Sequence, residues 1–111
     1  MPIDYSMVLS DYVIHGFVAL IFDQKSSREW VLTLNGFGSN DVYEGALPVI
    51  KDKNGFNTTR KEYLVHWLKK LNGGNNLRPF IEQIINEHPE KNGEIAELLR
   101  RDNYGIESID E

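Results

Sequence analysis

The sequence of 111 residues contains no cysteine. This absence excludes disulfide bonds, thiolate catalysis and zinc sites built on sulfur ligands. Long apolar runs are missing too, because the longest, residues 13–22, falls short of the ~18 residues that a membrane span needs. Residues 1–4 lack the basic start of a secretory signal peptide. We therefore expect a cytoplasmic protein that does not bind membranes.

Positive charge is scarce, since 12 Lys and Arg residues stand against 17 Asp and Glu residues, for a net charge of −5. Phosphate binding needs a basic surface, so this balance argues against nucleic acid as a partner. The charge is also unevenly distributed. A basic stretch contains Arg60, Lys61, Lys69 and Lys70, whereas residues 102–111 contain four acidic residues and neither lysine nor arginine.

The length matches one domain, and hydrophobic residues make up 41% of the chain. A chain of this size and apolar content can bury a core without covalent staples. We expect a single domain over residues 1–101 and a frayed acidic tail over residues 102–111.

The C-terminal half has clear helix signals. Thr59 and Glu62 form a capping-box pattern, and the apolar spacing that follows predicts a helix at about 59–72, ended by the Asn-Gly-Gly turn at 72–74. Asn75 or Asn76 caps a second helix over about 77–88, with Pro79 in its first turn. Asn92 is expected to cap a third helix.

The N-terminal half is compatible with two structures. In the first, Ser6 or Ser10 caps one helix, Ser26 or Ser27 caps another that carries Trp30, and a third short helix runs from residue 40 or 41 to Pro48. In the second, β-branched and aromatic residues at 17–34 form a β-hairpin, which makes the chain α+β. Because leucine and alanine at several of these positions suit helices, we predict an all-α, compact, six-helix antiparallel bundle.

Catalytic and cofactor motifs are missing. None of the six serines lies in a Gly-x-Ser-x-Gly elbow, and His66 has only Glu62 one turn earlier on its helix face. The Gly-Gly turn at 73–74 lacks the lysine and hydroxyl residues of a phosphate loop. The sequence therefore predicts a non-enzymatic protein without a cofactor or a metal. Trp67, on the apolar face of its helix, is expected in the core.

The charged residues are candidates for a protein interface. The basic residues are Arg60, Lys61, Lys69 and Lys70. Arg78 is expected to extend this group across the Gly-Gly turn. The acidic complement is expected at Asp41 and Glu44 on the third element, or at residues 107–111. Opposite charges on separate elements of one domain allow head-to-tail contacts between copies.

Residues 63–101 also carry a family resemblance. They combine a helix with Trp67, a Gly-Gly turn, Asn-Leu-Arg at 76–78, an apolar helix ending in His88 and Pro89, and a short Leu-Leu helix. This order resembles the bacterial effector-associated domains, also called bacterial death-like domains. The residues that carry it are Gly73, Gly74, Leu77, Phe80, Ile84, Pro89 and Leu98.

The resemblance implies a fold of six antiparallel helices and the function of an adaptor. Domains of this kind bind like domains and recruit effectors such as proteases or TIR domains in bacterial defence and regulated cell death. The resemblance implies no catalytic residue. The alternative function is a small acidic inhibitor, encoded by a phage or a host, that blocks an enzyme.

Overall fold

The computed structural model describes residues 6–50 and 58–104, and over these residues the protein is helical and contains no strand. Its α-helices are α1 (Asp11–Ile21), α2 (Ser27–Asn35), α3 (Arg60–Leu71), α4 (Leu77–Glu87) and α5 (Asn92–Arg100). Short 3-10 helices at Phe22–Gln24 and Pro89–Lys91 follow α1 and precede α5. Helix α1 packs against α3 and α5, and α2 packs against α3.

Side-chain caps fix where the first three helices begin. Ser10 accepts a hydrogen bond from the Val13 amide at the start of α1. Ser26 with Glu29 and Thr59 with Glu62 form complete capping boxes at α2 and α3. Each cap satisfies an amide that would otherwise lack a partner in the first turn. The predicted helices at these positions are confirmed, and the alternative hairpin at 17–34 is wrong.

The turn after α3 joins the N-terminal segment to the helix end. Gly73 has a φ of 83°, a conformation that costs glycine little because it has no Cβ. Its amide donates a 2.7 Å hydrogen bond to the Met7 carbonyl. Asn72 exchanges two hydrogen bonds with the Leu9 backbone, at 2.7 and 2.9 Å. The start of α1 therefore lies beside the end of α3.

The core centres on Phe80 of α4. Its ring contacts Phe17 at 6.5 Å, Trp30 at 6.4 Å and Phe37 at 5.4 Å between centroids. Trp30 is fully buried, and its indole N–H donates to the Phe22 carbonyl at 2.9 Å. Trp67 is only partly buried, so the prediction that it lies in the core is wrong in degree.

The predicted helix between residue 40 and Pro48 is not formed, so the described part of the chain has five α-helices rather than six. The Asn35 side chain makes two hydrogen bonds with the backbone of Asp41. Its Nδ2 donates to the Asp41 carbonyl at 3.0 Å, and its Oδ1 accepts from the Asp41 amide at 3.1 Å. Gly45 has a φ of 87° in the same segment. Backbone groups that are bound by a side chain are not available for helical hydrogen bonds.

Two smaller predictions about the C-terminal helices also differ from the structure. Asn92 is the first residue of α5, which begins after Lys91 without a side-chain cap. The residues directly after α5 are not frayed, because Asp102 accepts hydrogen bonds from Ser10 and Tyr104 accepts one from the Val8 amide. The rest of the predicted tail, residues 105–111, lies outside the described residues. No helix in the part of the chain described here is long and apolar enough to cross a membrane.

Candidate protein-binding groove

A groove with a volume of about 410 Å³ runs between α1 and α3. The residues that line it are His15 from α1, Ile50 from the segment after α2, and Lys61, Glu62, Val65, His66 and Lys69 from α3. Lysine and histidine side chains thus surround an apolar floor of valine and isoleucine. We name this feature the α1–α3 groove.

The spacing on α3 explains why these side chains share one groove. Lys61, Val65 and Lys69 are separated by four residues each, so they lie on one side of a helix with 3.6 residues per turn. Eight residues at 1.5 Å each place the two lysines about 12 Å apart along the helix axis. The sequence analysis named both lysines, and the structure brings them to one groove.

The two ends of the groove differ in their surroundings. Lys61 Nζ lies 4.6 Å from the centre of the Phe22 ring, a cation–π contact that holds the ammonium near the end of α1. Lys69 is exposed in the last turn of α3. Among the described lining residues the one carboxylate is that of Glu62, whose Oε1 accepts the Thr59 amide at 2.9 Å. The rim of the groove is therefore predominantly basic.

Arg60 and Lys70 belong to the predicted basic cluster but lie outside the lining of the groove. Arg60 donates to the Lys25 carbonyl at 3.0 Å and lies 5.7 Å from the Phe22 ring, so it ties α3 to the α1–α2 connection. Lys70 Nζ lies 4.9 Å from the centre of the Trp67 ring. Lys69 and Lys70 are neighbours in sequence, yet only Lys69 contributes to the groove.

Arg78, the last residue of the predicted basic cluster, lies outside the lining of the α1–α3 groove. It lies in the first turn of α4 and is partly buried, and its Nε is buried without a hydrogen-bond partner among the described atoms. The Gly-Gly turn does not bring it into the lining of the α1–α3 groove.

Asp41 and Glu44, the predicted acidic residues of the interface, differ in their surroundings. Asp41 Oδ2 accepts hydrogen bonds from the Tyr63 phenol at 2.7 Å and from the Trp67 indole at 3.1 Å. This carboxylate is therefore occupied within the fold. Glu44 is exposed in the loop between α2 and α3. Burial and the bond to Asp41 raise the pKa of Tyr63, because both disfavour the phenolate.

Sequence reasoning missed three contributors to the groove. In the sequence, His66 shares a helix face only with Glu62, and neither His15 nor Ile50 carries a functional signal. The pairing of α1 with α3 brings them together. The four-residue steps on α3 could have identified Val65 and His66 beside the lysines, but the position of His15 depends on tertiary packing.

The described lining residues offer both positive charge and apolar surface to a ligand. The ammonium groups of Lys61 and Lys69 can receive carboxylates, and Val65 with Ile50 can receive an apolar side chain. Among the described residues of the lining there is no serine, threonine or tyrosine. Over residues 6–50 and 58–104, no group of three or more metal-ligating side chains is close enough to hold an ion.

A second groove, of about 560 Å³, lies between α1 and α5. Tyr12, Glu94 and Glu97 contribute to its lining, and Arg101 lies 4.8 Å from the Tyr12 ring centre. Gly16 allows the close approach of the two helices, because a Cβ there would lie 2.9 Å from a methyl carbon of Leu98. This groove serves as a reference surface, because it shares no lining residue with the α1–α3 groove.

Comparison with known proteins gave no matching family model, no matching curated protein and no matching solved structure.

Proposed function

We propose that this chain is a non-enzymatic adaptor domain that binds an acidic segment of a partner protein in the α1–α3 groove. The observation that carries the proposal is the placement of Lys61 and Lys69 at two ends of one groove with Val65 between them. Such a surface matches a segment in which acidic residues flank an apolar one. The proposal includes a cytoplasmic setting, no cofactor and no nucleic-acid partner.

The resemblance at residues 63–101 supports a death-like adaptor. Under this proposal the partner is another death-like domain, on a second copy or on an effector of the protease or TIR type, and the setting is bacterial defence or regulated cell death. A helical domain with a basic groove on one surface and the exposed carboxylates of Glu94 and Glu97 on another allows contacts between unlike surfaces of like domains.

Electrostatics alone gives such a contact modest strength. An exposed ion pair contributes about 0–1 kcal/mol, so the two lysines need the apolar floor to hold a partner. Burial of apolar surface contributes about 25 cal/mol per Å². We therefore expect an affinity that depends on salt but persists in part at high ionic strength.

The matched pair Lys69→Glu and Lys70→Glu tests the proposal. Both variants reverse one charge on neighbouring residues in the last turn of α3, but only Lys69 lines the groove. Each variant is compared with the original chain by affinity purification from cells that contain the natural partners. The proposal predicts a partner that is lost with Lys69→Glu and retained with Lys70→Glu. A partner that is retained with Lys69→Glu, or lost equally with both, contradicts it.

The alternative, an acidic inhibitor, needs free carboxylates gathered on one surface. Several carboxylates instead have partners within the fold. Glu29 and Glu62 complete capping boxes, Asp41 binds Tyr63, and Asp102 accepts from Ser10. These contacts favour the adaptor over the inhibitor.

A further inference from the structure

We infer that the α1–α3 groove binds an extended segment of its partner, in which two acidic residues lie four positions apart and an apolar residue lies midway between them. The inference rests on the proposed function, because it assigns a conformation and a spacing to the ligand of the same groove. The partner therefore presents a short stretch of non-helical chain with the pattern acidic–x–apolar–x–acidic.

A row of three side chains on α3 sets this spacing. Lys61, Val65 and Lys69 line the groove at four-residue intervals, and each step rises about 6.0 Å along the helix axis. Rows of residues four apart are inclined by about 26° to the axis, so the spacing along the row is about 6.7 Å. The groove therefore offers a positive, an apolar and a second positive side chain at even intervals of this length.

An extended chain has the same repeat. It rises about 3.3–3.4 Å per residue, and its successive side chains point to opposite faces. Residues i, i+2 and i+4 therefore lie on one face at intervals of about 6.6–6.8 Å. A segment laid along the row can place its first acidic residue, its apolar residue and its second acidic residue opposite Lys61, Val65 and Lys69, in either chain direction.

A helical ligand fits this row less well. Two helices pack with the ridges of one in the grooves of the other, which offsets their side chains instead of placing them face to face. A helix with its side chains is about 10–12 Å across, whereas extended chains in a sheet lie about 4.8 Å apart. Because His15 of α1 and Ile50 also line the groove beside α3, the narrower chain can approach Val65 more closely.

Charge complementarity selects carboxylates for both ends of the ligand. Lys61 and Lys69 are exposed, and the cation–π contact of Lys61 with Phe22, at 4.6 Å, restrains the ammonium group at one end. Glu62, the one carboxylate among the described lining residues, belongs to the capping box of α3. Val65 is half-buried against the core and presents apolar surface between the two charges.

Titration of the full, isotope-labelled chain with synthetic peptides tests the inference by two-dimensional NMR. The matched peptide reads Ser-Asp-Thr-Val-Thr-Asp-Ser, with blocked ends. The reordered peptide, Ser-Asp-Val-Thr-Thr-Asp-Ser, has the same composition and charge but turns its valine to the opposite face of an extended chain. A third, alanine-rich helical peptide carries Asp, Val and Asp at four-residue intervals.

The matched peptide should shift the amide signals of Lys61, Val65 and Lys69. It should bind at least about threefold more tightly than the reordered peptide, a difference smaller than the effect of burying one methylene group. It should also bind more tightly than the helical peptide. Signals of Glu94 and Glu97, which line the α1–α5 groove, should not change.

A charge exchange tests the pairing of each acidic residue with a lysine. Two further peptides replace one or the other aspartate of the matched peptide by lysine. The Lys69→Glu chain should bind one of these two peptides more tightly than the matched peptide, and the preferred one reports the direction of the segment. The Lys70→Glu chain is the control and should keep the preference for two aspartates, because Lys70 lies outside the lining.

Four results contradict the inference. They are unchanged signals of Lys61, Val65 and Lys69 with the matched peptide, equal binding of the matched and reordered peptides, tighter binding of the helical peptide, and a Lys69→Glu chain that still prefers two aspartates. A thermal midpoint of Lys69→Glu close to that of the original chain shows that the exposed substitution leaves the fold intact.

These outcomes are distinguishable from failure of the proposed function. If Lys69→Glu abolishes capture of the natural partner but the position of the valine has no effect on peptide binding, the extended conformation alone is wrong. If the peptides bind with the expected spacing while Lys69→Glu leaves partner capture unchanged, the groove accepts such segments and the proposed partner site is wrong.

Discussion

The phenol of Tyr63 donates a 2.7 Å hydrogen bond to Asp41 Oδ2, and the same oxygen accepts the indole N–H of Trp67 at 3.1 Å. One carboxylate thus joins the irregular segment after α2 to two successive turns of α3. The bond makes Asp41 a structural residue, although its charge and position in the sequence suggested an interface.

Asp41→Ala is expected to lower the free energy of unfolding by about 1–3 kcal/mol, because it removes the acceptor of two donors, one of them on the buried Tyr63. Glu44→Ala is the matched control, since Glu44 is exposed in the same segment, and its effect should stay within about 0.5 kcal/mol. Urea unfolding of the three proteins measures both values. Equal stability of the two variants would show that the Tyr63–Asp41 bond does not support the fold.

Alkaline pH should destabilise the protein through Tyr63. Its pKa is raised from the ordinary value of 10.0 by burial and by the bond to Asp41, so the unfolded state loses this proton at lower pH than the folded state. The contribution is fully present below pH 10 and is lost as the pH rises above that value. Tyr63→Phe should reduce this alkaline loss, measured as the urea midpoint against pH. An unchanged pH dependence in Tyr63→Phe would assign the loss to other groups.

The two tryptophans should differ in their contribution to stability. Trp30 is fully buried against Phe80, so Trp30→Ala should cost about 3–5 kcal/mol. Trp67 is partly exposed, and Trp67→Ala should cost clearly less. Thermal unfolding of the two variants decides the order. A larger loss for Trp67→Ala would mean that the contacts of α3 with the Asp41 segment dominate the core around Phe80.

A side chain at residue 16 should press against Leu98 of α5. A Cβ at residue 16 would lie 2.9 Å from one Leu98 methyl carbon and 3.0 Å from the other. Gly16→Val is therefore expected to cost about 1–3 kcal/mol through overpacking between α1 and α5. In a Leu98→Ala background the cost should fall, with a coupling of at least about 0.5 kcal/mol in a double-mutant cycle. If the effects of the two substitutions on stability are additive, residue 16 and Leu98 are not in energetically significant contact.

Local sequence signals predicted the helices well. Ser10, Ser26 and Thr59 cap α1, α2 and α3 because their oxygens satisfy first-turn amides close in sequence. The segment after α2 was predicted wrongly, because the Asn35 side chain binds the backbone of Asp41, and apolar spacing does not report such a contact.

The part of the candidate site that lies within one helix was predictable from the sequence. Four-residue spacing relates Lys61 to Lys69 within one helix, so their shared side could be read from the sequence. The contributions of His15 and Ile50 depend on how α1 and the loop pack against α3, which no local pattern encodes. The separation of Lys69 from Lys70 follows from helix geometry, because neighbouring side chains point about 100° apart.

The most direct test of the central claim is the footprint of a purified partner on the isotope-labelled chain, measured as the loss of amide signals in two-dimensional NMR. If the partner binds in the α1–α3 groove, the signals of His15, Val65, His66 and Lys69 weaken first. Those of Lys70 and Glu94 change little. This claim also predicts a Kd that rises about tenfold with Lys69→Glu, which corresponds to about 1.4 kcal/mol. A footprint on the α1–α5 groove or around the exposed Leu32 and Val42, with the α1–α3 groove unaffected, would contradict it.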